Sequence, residues 1–289
     1  METLQSQYAQ LPPNDSLLRL QTTASFDVVL TDEGPLQRAF PSVPEELLSI
    51  PQAFIDDLTY TSTLTSHVDL VKLSEGTVKV FKRYPPIPPS HDALLPEALV
   101  LAAVESAQIL KPTHVVVSRH GDDMYFRGFL MPYLSHGTLA EYLGSNTLDW
   151  ATKIRWAIQI AAGVSSLHCR GFYCGDIRLE NILISDDQKD VVLIDVGPVP
   201  ALVPPYTPPE VVGSQLLTGP RDIYAVGIIL AAFVLGNGEA KYPDDNDLAD
   251  APDPYRTIVL ECLDCDPLKR PTPEKLVDAL KSCDEVPVL

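Results

Sequence analysis

The spacing of apolar and polar residues changes twice along this chain of 289 residues. Residues 1–52 contain several prolines and no long periodic stretch, so we predict an N-terminal extension that packs only in part. Residues 53–134 are dominated by short segments rich in Thr, Val and Leu, which favour strands. Among them, HVDLVKL (67–73) and TVKVFK (77–82) alternate apolar and polar side chains around a polar turn and predict a β-hairpin.

One helix and two more strands complete this first region. The pattern of LLPEALVLAAVESA (94–107) is helical, and its proline falls near the first turn, where it is tolerated. HVVVS (114–118) and MYFRGFLMPYL (124–134) predict strands. The proline-rich YPPIPPS (84–90), ahead of the helix, predicts a stiff connection.

A second region, from residue 135 to 285, has a mainly helical period. LDWATKIRWAIQIAAGVSSLH (148–168) places apolar side chains along one stripe, and Asp149 can cap its first turn. The rest of the region contains a short strand, VVLID (191–195), a proline-rich loop, and three helices near 222–235, 254–264 and 273–282. A small sheet with one helix, followed by a larger helical region, predicts an α+β fold with two lobes and a ligand site in the cleft between them.

The chain is strongly acidic, since 39 Asp and Glu against 21 Lys and Arg give a net charge of −18. This charge repels nucleic acid and anionic lipid, so we expect no nucleic acid and no membrane as a partner, whereas a basic peptide would be attracted. The five cysteines form no disulfide framework, no secretory signal is visible, and the longest apolar run, 227–236, is about half a bilayer span. We therefore expect an intracellular protein, cytoplasmic or nuclear.

Seven short motifs carry the candidate chemistry, and their order along the chain is more specific than any one of them. LHCRGFYCGDIRLENILI (167–184) places Asp176 five residues before Asn181, and a later strand ends in Asp195-Val196-Gly197. The other five are Lys79 in TVKVFKR, Glu97 in the predicted helix, Pro208-Pro209-Glu210, Asp222 in DIYAVG (222–227), and Arg270 in CLDCDPLKRPT (262–272). In this order the motifs resemble those of the eukaryotic protein kinase family, over roughly residues 55–283.

The resemblance implies a bilobal protein-kinase-like fold, with a small antiparallel-sheet N-lobe with one helix at 53–134 and a larger helical C-lobe at 135–285. It also implies an ATP-dependent phosphotransferase of the Ser/Thr type that acts on a protein or peptide. Asp176 would be the base that accepts the substrate's hydroxyl proton, and Arg178 would contact the transferred phosphate. Asn181 and Asp195 would bind Mg²⁺, which neutralises the triphosphate of ATP.

The same resemblance assigns the rest of the nucleotide site. Lys79 would hold the first two phosphates of ATP, and Glu97 would hold Lys79. Four more residues would bind the nucleotide: Val68, and, at the adenine base, Met131, Pro132 and Leu134. Glu210 and Arg270 would form a buried ion pair with a structural role.

Two departures from the family pattern concern the loops that surround ATP. Thr61, Thr63 and Ser66 stand where the family has the glycines of its phosphate-binding loop. Their β-carbons restrict the approach of backbone N–H groups to phosphate, so weaker nucleotide affinity is expected. Cys174-Gly175 replaces the family's His-Arg, and this removes the arginine that pairs with a phosphorylated activation loop. That loop is also short, because only residues 198–207 lie between the motifs on either side of it.

Three functions are therefore open. The first is an active kinase, since the five catalytic positions Lys79, Glu97, Asp176, Asn181 and Asp195 are all present. The second is a pseudokinase scaffold that binds partners with weak or no nucleotide binding, which the lost glycines and the short activation segment favour. The third is a small-molecule phosphotransferase of the aminoglycoside-kinase type, suggested by Gly175 but opposed by Glu210, Asp222 and Arg270.

Overall fold

The structure is a computed structural model that describes residues 16–22, 28–35, 40–84, 93–211, 216–244 and 246–284, with the backbone alone at 16–35 and at Asp284. The connection predicted at 84–90 lies, beyond Tyr84, outside the described residues, as do parts of the segment 1–52. The chain divides into two compact units, one of residues 1–92 and 113–131 and the other of residues 93–112 and 132–289.

Strands and helices follow one another along the described parts of the chain. The strands are β1 (Ser16–Thr22), β2 (Val28–Pro35), β3 (Gln52–Phe54), β4 (Thr59–Thr65), β5 (Val68–Lys72), β6 (Val78–Arg83), β7 (His114–His120), β8 (Asp123–Pro132), β9 (Ile182–Ile184) and β10 (Val191–Leu193). The helices are α1 (Leu94–Ala103), α2 (Leu139–Ser145), α3 (Trp150–His168), α4 (Gly219–Leu235), α5 (Asp253–Cys262) and α6 (Pro273–Asp284).

The first unit is built on a six-stranded sheet in the order β3-β7-β8-β6-β5-β4. β5 and β6 form the antiparallel hairpin that the alternating pattern predicts, with Val71 opposite Lys79 and Val68 opposite Lys82. One apolar cluster of this unit is formed by Ala53, Val71, Phe81, Val116 and Leu130. The alternation of side chains along β6 therefore fixes which of its residues face this cluster.

The segment 40–54 packs onto strands β7 and β8 of its own unit. Pro41 O accepts a hydrogen bond from Phe126 N and Pro51 O accepts one from Val115 N, both at 2.8 Å. β3 pairs in parallel with β7 and lies at the edge of the otherwise antiparallel ladders around it. Leu47 is fully buried in this segment. A strand of three residues is too short to show an alternating pattern, so periodicity did not predict β3.

The second unit is mainly helical, and together the two units confirm the α+β prediction. Asp149 caps α3 as expected, since its Oδ1 accepts a hydrogen bond from Thr152 N at 2.8 Å. α4, α5 and α6 lie close to the bounds predicted for the last three helices. α1 joins this unit and ends at Ala103, before the predicted residue 107, because Val104 is extended. Within the described residues, no helix combines the length and the apolar character that a membrane crossing requires.

Candidate active site

A buried carboxylate in α4 fixes the backbone of the loop that carries Asp176. Asp222 is 1% exposed, and its two oxygens accept hydrogen bonds from Cys174 N at 3.0 Å and Gly175 N at 2.8 Å. Its Oδ2 also lies 2.8 Å from His168 Nε2 at the end of α3. Backbone N–H groups that bond a charged acceptor are held more firmly than those that bond water. The predicted catalytic loop, which is the segment between α3 and β9, is therefore anchored immediately before Asp176.

The carboxylate of Asp176 is held by two neighbours on the same loop. Asn181 Nδ2 donates to the backbone oxygen of Asp176 at 2.8 Å and to its Oδ2 at 3.0 Å. Arg178 Nε lies 3.4 Å from Asp176 Oδ1. Burial raises the pKa of Asp176 above its ordinary value, although Arg178 and Asn181 oppose the rise. A carboxylate with a raised pKa is a better proton acceptor, as a general base requires.

The two predicted metal ligands offer the oxygens that magnesium prefers. Asn181 is 5% exposed, and because its Nδ2 faces Asp176, its carbonyl oxygen Oδ1 is directed away from that carboxylate. Asp195 follows β10. The residue before it, Ile194, donates its N–H to Asn181 O at 2.9 Å, so Asp195 and Asn181 lie on hydrogen-bonded neighbouring segments. Asp195 has a φ of +55°, in the left-handed region that few residues other than glycine adopt. Such backbone conformations are concentrated at functional sites, and the amide and carboxylate oxygens fit Mg²⁺.

Glu97 lies beside the Asp195-Val196-Gly197 motif. It is 6% exposed in the first turn of α1. A β-carbon at Gly197 would lie 3.0 Å from Glu97 Cβ, closer than packed carbon atoms ordinarily approach. The glycine of the motif is therefore what lets α1 approach this segment, and the predicted Glu97 and Asp195 lie on neighbouring elements of the same unit.

Two lysines of β6 lie on opposite faces of the sheet. Lys79, the predicted phosphate ligand, is half-buried and shares a face with Phe81 of the apolar cluster. Lys82 is 8% exposed on the other face, and its Nζ lies 5.7 Å from the centre of the Phe129 ring. Val68, one of the predicted nucleotide contacts, is directly opposite Lys82 in the hairpin.

The turn between β4 and β5, which takes the place of the phosphate-binding loop, is braced by side chains. Asp69 is 5% exposed, pairs with Arg83, and accepts a hydrogen bond from Thr63 Oγ1 at 2.8 Å. Arg83 Nη2 donates to Ser66 O at 3.0 Å. Two of the three residues at the predicted glycine positions thus belong to one polar network, and Thr61 is exposed.

The segment after β8 carries the remaining predicted nucleotide contacts. Met131 is 2% exposed at the end of β8, whereas Pro132 and Leu134 are half-buried. Downstream, Ser135 N and Ser135 Oγ both donate to Asp186 Oδ1, at 3.0 and 3.1 Å. These bonds fix the chain where it enters the second unit.

The predicted ion pair between Glu210 and Arg270 is confirmed. Arg270 Nη1 and Nη2 donate to the two carboxylate oxygens of Glu210 at 2.6 and 2.7 Å. Arg270 also donates to Asp264 O at 2.9 Å and Pro220 O at 3.0 Å, and its side chain is 0% exposed. Burial raises the pKa of Glu210, but the hydrogen bonds from Arg270 outweigh burial, so the pKa is lowered overall.

Known protein kinases match about half of this chain. The sequence profile described as "Protein kinase domain" matches residues 74–280. Serine/threonine-protein kinase PknG of Mycolicibacterium smegmatis is 30% identical over 201 residues, which are 60% of this chain and 25% of that protein. Dual specificity testis-specific protein kinase 2 of Mus musculus is 27% identical over 184 residues, 53% of this chain and 32% of that protein.

A third relative has a different description. A probable inactive receptor kinase of Arabidopsis thaliana is 26% identical over 149 residues, 47% of this chain and 23% of that protein. The chain thus corresponds to between 23% and 32% of the length of these three relatives. With the profile matched over residues 74–280, and the catalytic loop, Asp222 anchor and Glu210–Arg270 pair in place, this chain belongs to the protein kinase family.

Proposed function

We propose that this protein is an active kinase that transfers the terminal phosphate of ATP to a serine or threonine of a protein substrate. The observation that carries the proposal is the arrangement around Asp176, a partly buried carboxylate with a raised pKa on a loop anchored by Asp222. A residue that served only as a turn former would not require an amide, an arginine and a buried carboxylate to position it.

Asp176 would receive the proton of the acceptor hydroxyl. As the hydroxyl oxygen bonds to the terminal phosphorus, the bond from that phosphorus to ADP breaks, and the proton passes to the Asp176 carboxylate. Arg178, 3.4 Å from Asp176, would offer its guanidinium to the phosphate in transfer. Asn181 and Asp195 would hold Mg²⁺, which supplies positive charge to the phosphate oxygens.

For the lysine that holds the phosphates, Lys82 fits the role better than the predicted Lys79. Val68 faces the same side of the sheet as Lys82 because the two are directly opposite in the hairpin. Met131 follows Phe129 by two residues on β8, and the Lys82 ammonium lies over the Phe129 ring, so Met131 is on this side as well. Val68 and Met131, two predicted nucleotide contacts, thus lie on the same face of the sheet as Lys82, whereas Lys79 lies on the face of the apolar cluster.

The remaining features favour a basic protein substrate in a reducing compartment. The net charge of −18 would attract a basic segment and repel nucleic acid and anionic membranes. All five cysteines are free thiols. The name of the Mycolicibacterium relative describes a serine/threonine kinase and that of the mouse relative a dual-specificity kinase. The presence of Arg178 after Asp176 leads us to favour serine and threonine.

The alternative is a pseudokinase that binds partners. The braced turn at Thr63, Ser66 and Asp69 favours this reading, since it offers side chains where a glycine-rich loop would offer freely placed N–H groups. The relative from Arabidopsis is itself described as probably inactive. A small-molecule phosphotransferase is disfavoured by the Glu210–Arg270 pair, which belongs to the protein kinase pattern.

Nucleotide binding and phosphate transfer, measured separately, test the proposal. Millimolar Mg-ATP should raise the melting temperature of the purified protein, because ligand bound to the folded state stabilises it. Asp176→Asn should abolish transfer to a basic peptide while the Mg-ATP shift is kept, because the base acts on the acceptor and not on ATP. No shift with Mg-ATP or Mg-ADP would establish the pseudokinase, and full transfer by Asp176→Asn would remove Asp176 from its role.

A pair of alanine variants tests the assignment of the lysine. Lys82→Ala should lower kcat/KM for ATP about 100-fold, because a charged donor to the phosphates is lost. Lys79→Ala on the same strand is the matched control and should change kcat/KM less than about threefold. The reverse order of effects would return the role to Lys79.

A further inference from the structure

The short activation segment, 198–207, packs directly on the catalytic loop at Gly175. Val199 N donates to Cys174 O at 3.2 Å. Gly175 has a φ of +75°, and a β-carbon there would lie 2.7 Å from Val199 O and collide with Leu217. A side chain is therefore excluded at Gly175 by both its backbone conformation and its neighbours. Gly175, which stands where the family has an arginine, therefore also allows the activation segment to lie this close to the catalytic loop.

A buried arginine in the first turn of α4 makes a second contact with the activation segment. Arg221 is 2% exposed, and its Nη2 donates to Ala201 O while its Nη1 lies 3.5 Å from Leu216 O. Its neighbour Asp222 holds the N–H groups of Cys174 and Gly175. Two consecutive residues of one helical turn thus bond the activation segment and the catalytic loop. Arg221 and Asp176 also line the same small cavity, together with Ala201, Val203 and Tyr206.

The side-chain hydroxyls of this segment are not placed to accept a regulatory phosphate. Among residues 198–207 only Tyr206 and Thr207 carry a hydroxyl. Tyr206 is 8% exposed, and its oxygen accepts a hydrogen bond from Leu179 N at 3.2 Å. Thr207 Oγ1 is buried. A kinase that modified either residue would first have to pull the segment away from the catalytic loop.

We infer that Arg221 is a positioning residue that fixes the activation segment against the catalytic loop, in the place of a loop phosphate. An arginine side chain is part of the chain as it folds, whereas a phosphate is added and removed, so this contact forms without any modification. Its hydrogen bond to Ala201 O has a charged donor on a buried side chain, which makes it stronger than a neutral surface bond. The effect on catalysis rests on the proposed function; the contact itself does not.

Hydrogen exchange of the full chain, below its melting temperature, tests the contact without any activity. Arg221→Ala should raise the exchange rates of the Val199 and Ala201 amides about tenfold or more, because the segment opens locally when a charged bond is lost. Arg221→Lys, which keeps the charge but only one donor group, should restore part of the protection. Ile229→Ala, a buried residue further along α4, is the control: it should lower the melting temperature without raising exchange at these amides.

Kinetics then connects the contact to catalysis. For Arg221→Ala we expect kcat with a peptide acceptor to fall about tenfold while KM for ATP stays unchanged, since the acceptor platform is displaced and the nucleotide contacts are not. Unchanged exchange at Val199 and Ala201, or an equal rise in Ile229→Ala, would overturn the inference. If Arg221→Ala does not fold, Arg221→Lys decides the question by its exchange rates. A wild-type protein without transfer activity would refute the proposed function, and the exchange data would still decide the contact.

Discussion

Breaking the Glu210–Arg270 pair from either side should have unequal effects on stability, because the two partners differ in their access to water. Glu210→Ala leaves the Arg270 guanidinium in a site where its side chain is 0% exposed. The guanidinium then stays buried without its carboxylate partner, and among the described residues the carbonyls of Asp264 and Pro220 remain as its acceptors. Arg270→Met instead leaves a carboxylate that is 29% exposed and can be hydrated.

The magnitudes follow from this difference. Leaving a buried charge without its partner costs about 3 kcal/mol or more, so Glu210→Ala should lose at least that. Arg270→Met fills the volume and loses hydrogen bonds to groups that water partly reaches, which costs about 1–2 kcal/mol. For a chain of this size, one kcal/mol lowers the melting temperature by about 2–4 °C. The double variant should be little less stable than Arg270→Met alone, because without the arginine Glu210 has no pair to lose.

Urea unfolding of the wild type, the two single variants and the double variant measures these differences in the free energy of unfolding. Near-constant m-values among the four proteins would show that unfolding stays two-state. A pH series adds a second readout. The pKa of Glu210 is lowered in the folded state, so the stabilisation is complete above the 4.5 of a free glutamate and is lost as pH falls through the folded pKa. If Arg270→Met were the more damaging variant, or if the two effects were additive, the argument from unequal burial would be refuted.

Three other predictions concern the catalytic base, the N-terminal segment and regulation. Because burial raises the pKa of Asp176, kcat should fall with a one-proton slope on acidification, starting above the 3.8 of a free aspartate; a pH-independent kcat down to that value would contradict the burial effect. Leu47→Ala should lower the free energy of unfolding in urea by about 3 kcal/mol, because Leu47 is fully buried. Leu48→Ala is the control, since Leu48 is 56% exposed, and should lower it by less than about 0.5 kcal/mol. Equal losses would show that segment 40–54 does not pack. Phosphatase treatment should leave kinase activity unchanged, since Tyr206 and Thr207 are occupied or buried; a large loss, followed by mass spectrometry of the segment, would argue for phospho-activation.

Local pattern predicted the β5–β6 hairpin, β7, β8, α1 and the long helices, but it did not predict β1, β2, β3 or α2. Motif spacing predicted residues that contact one another within one loop or one ion pair. Asp176 and Asn181 are five residues apart, so their contact follows from the motif itself. Glu210 and Arg270 are sixty residues apart and were found only through the family resemblance. The proposal of Lys82 in place of Lys79 could not come from spacing along the strand, because the face that each lysine takes relative to Val68 depends on the register with β5.

Other contacts leave no trace in composition or period. The Thr63–Asp69–Arg83 network joins three strands of the sheet, and each residue alone is an ordinary surface type. Arg221 precedes a recognisable motif residue, but its bond to Ala201 depends on how a proline-rich segment of irregular backbone returns to α4. Such contacts are set by tertiary packing, which overrides any local preference.

Gly175 makes the departure from the family's arginine hard to reverse. Restoring Arg at this position would supply the side chain that other members use, yet its β-carbon would meet Val199 O at 2.7 Å in a backbone conformation that disfavours any side chain. The substitution could be accepted only after the activation segment had moved, and a moved segment would lose its bond to Arg221. A single Gly175→Arg substitution should therefore destabilise the protein, because it cannot be accommodated without loss of the contact between Arg221 and Ala201.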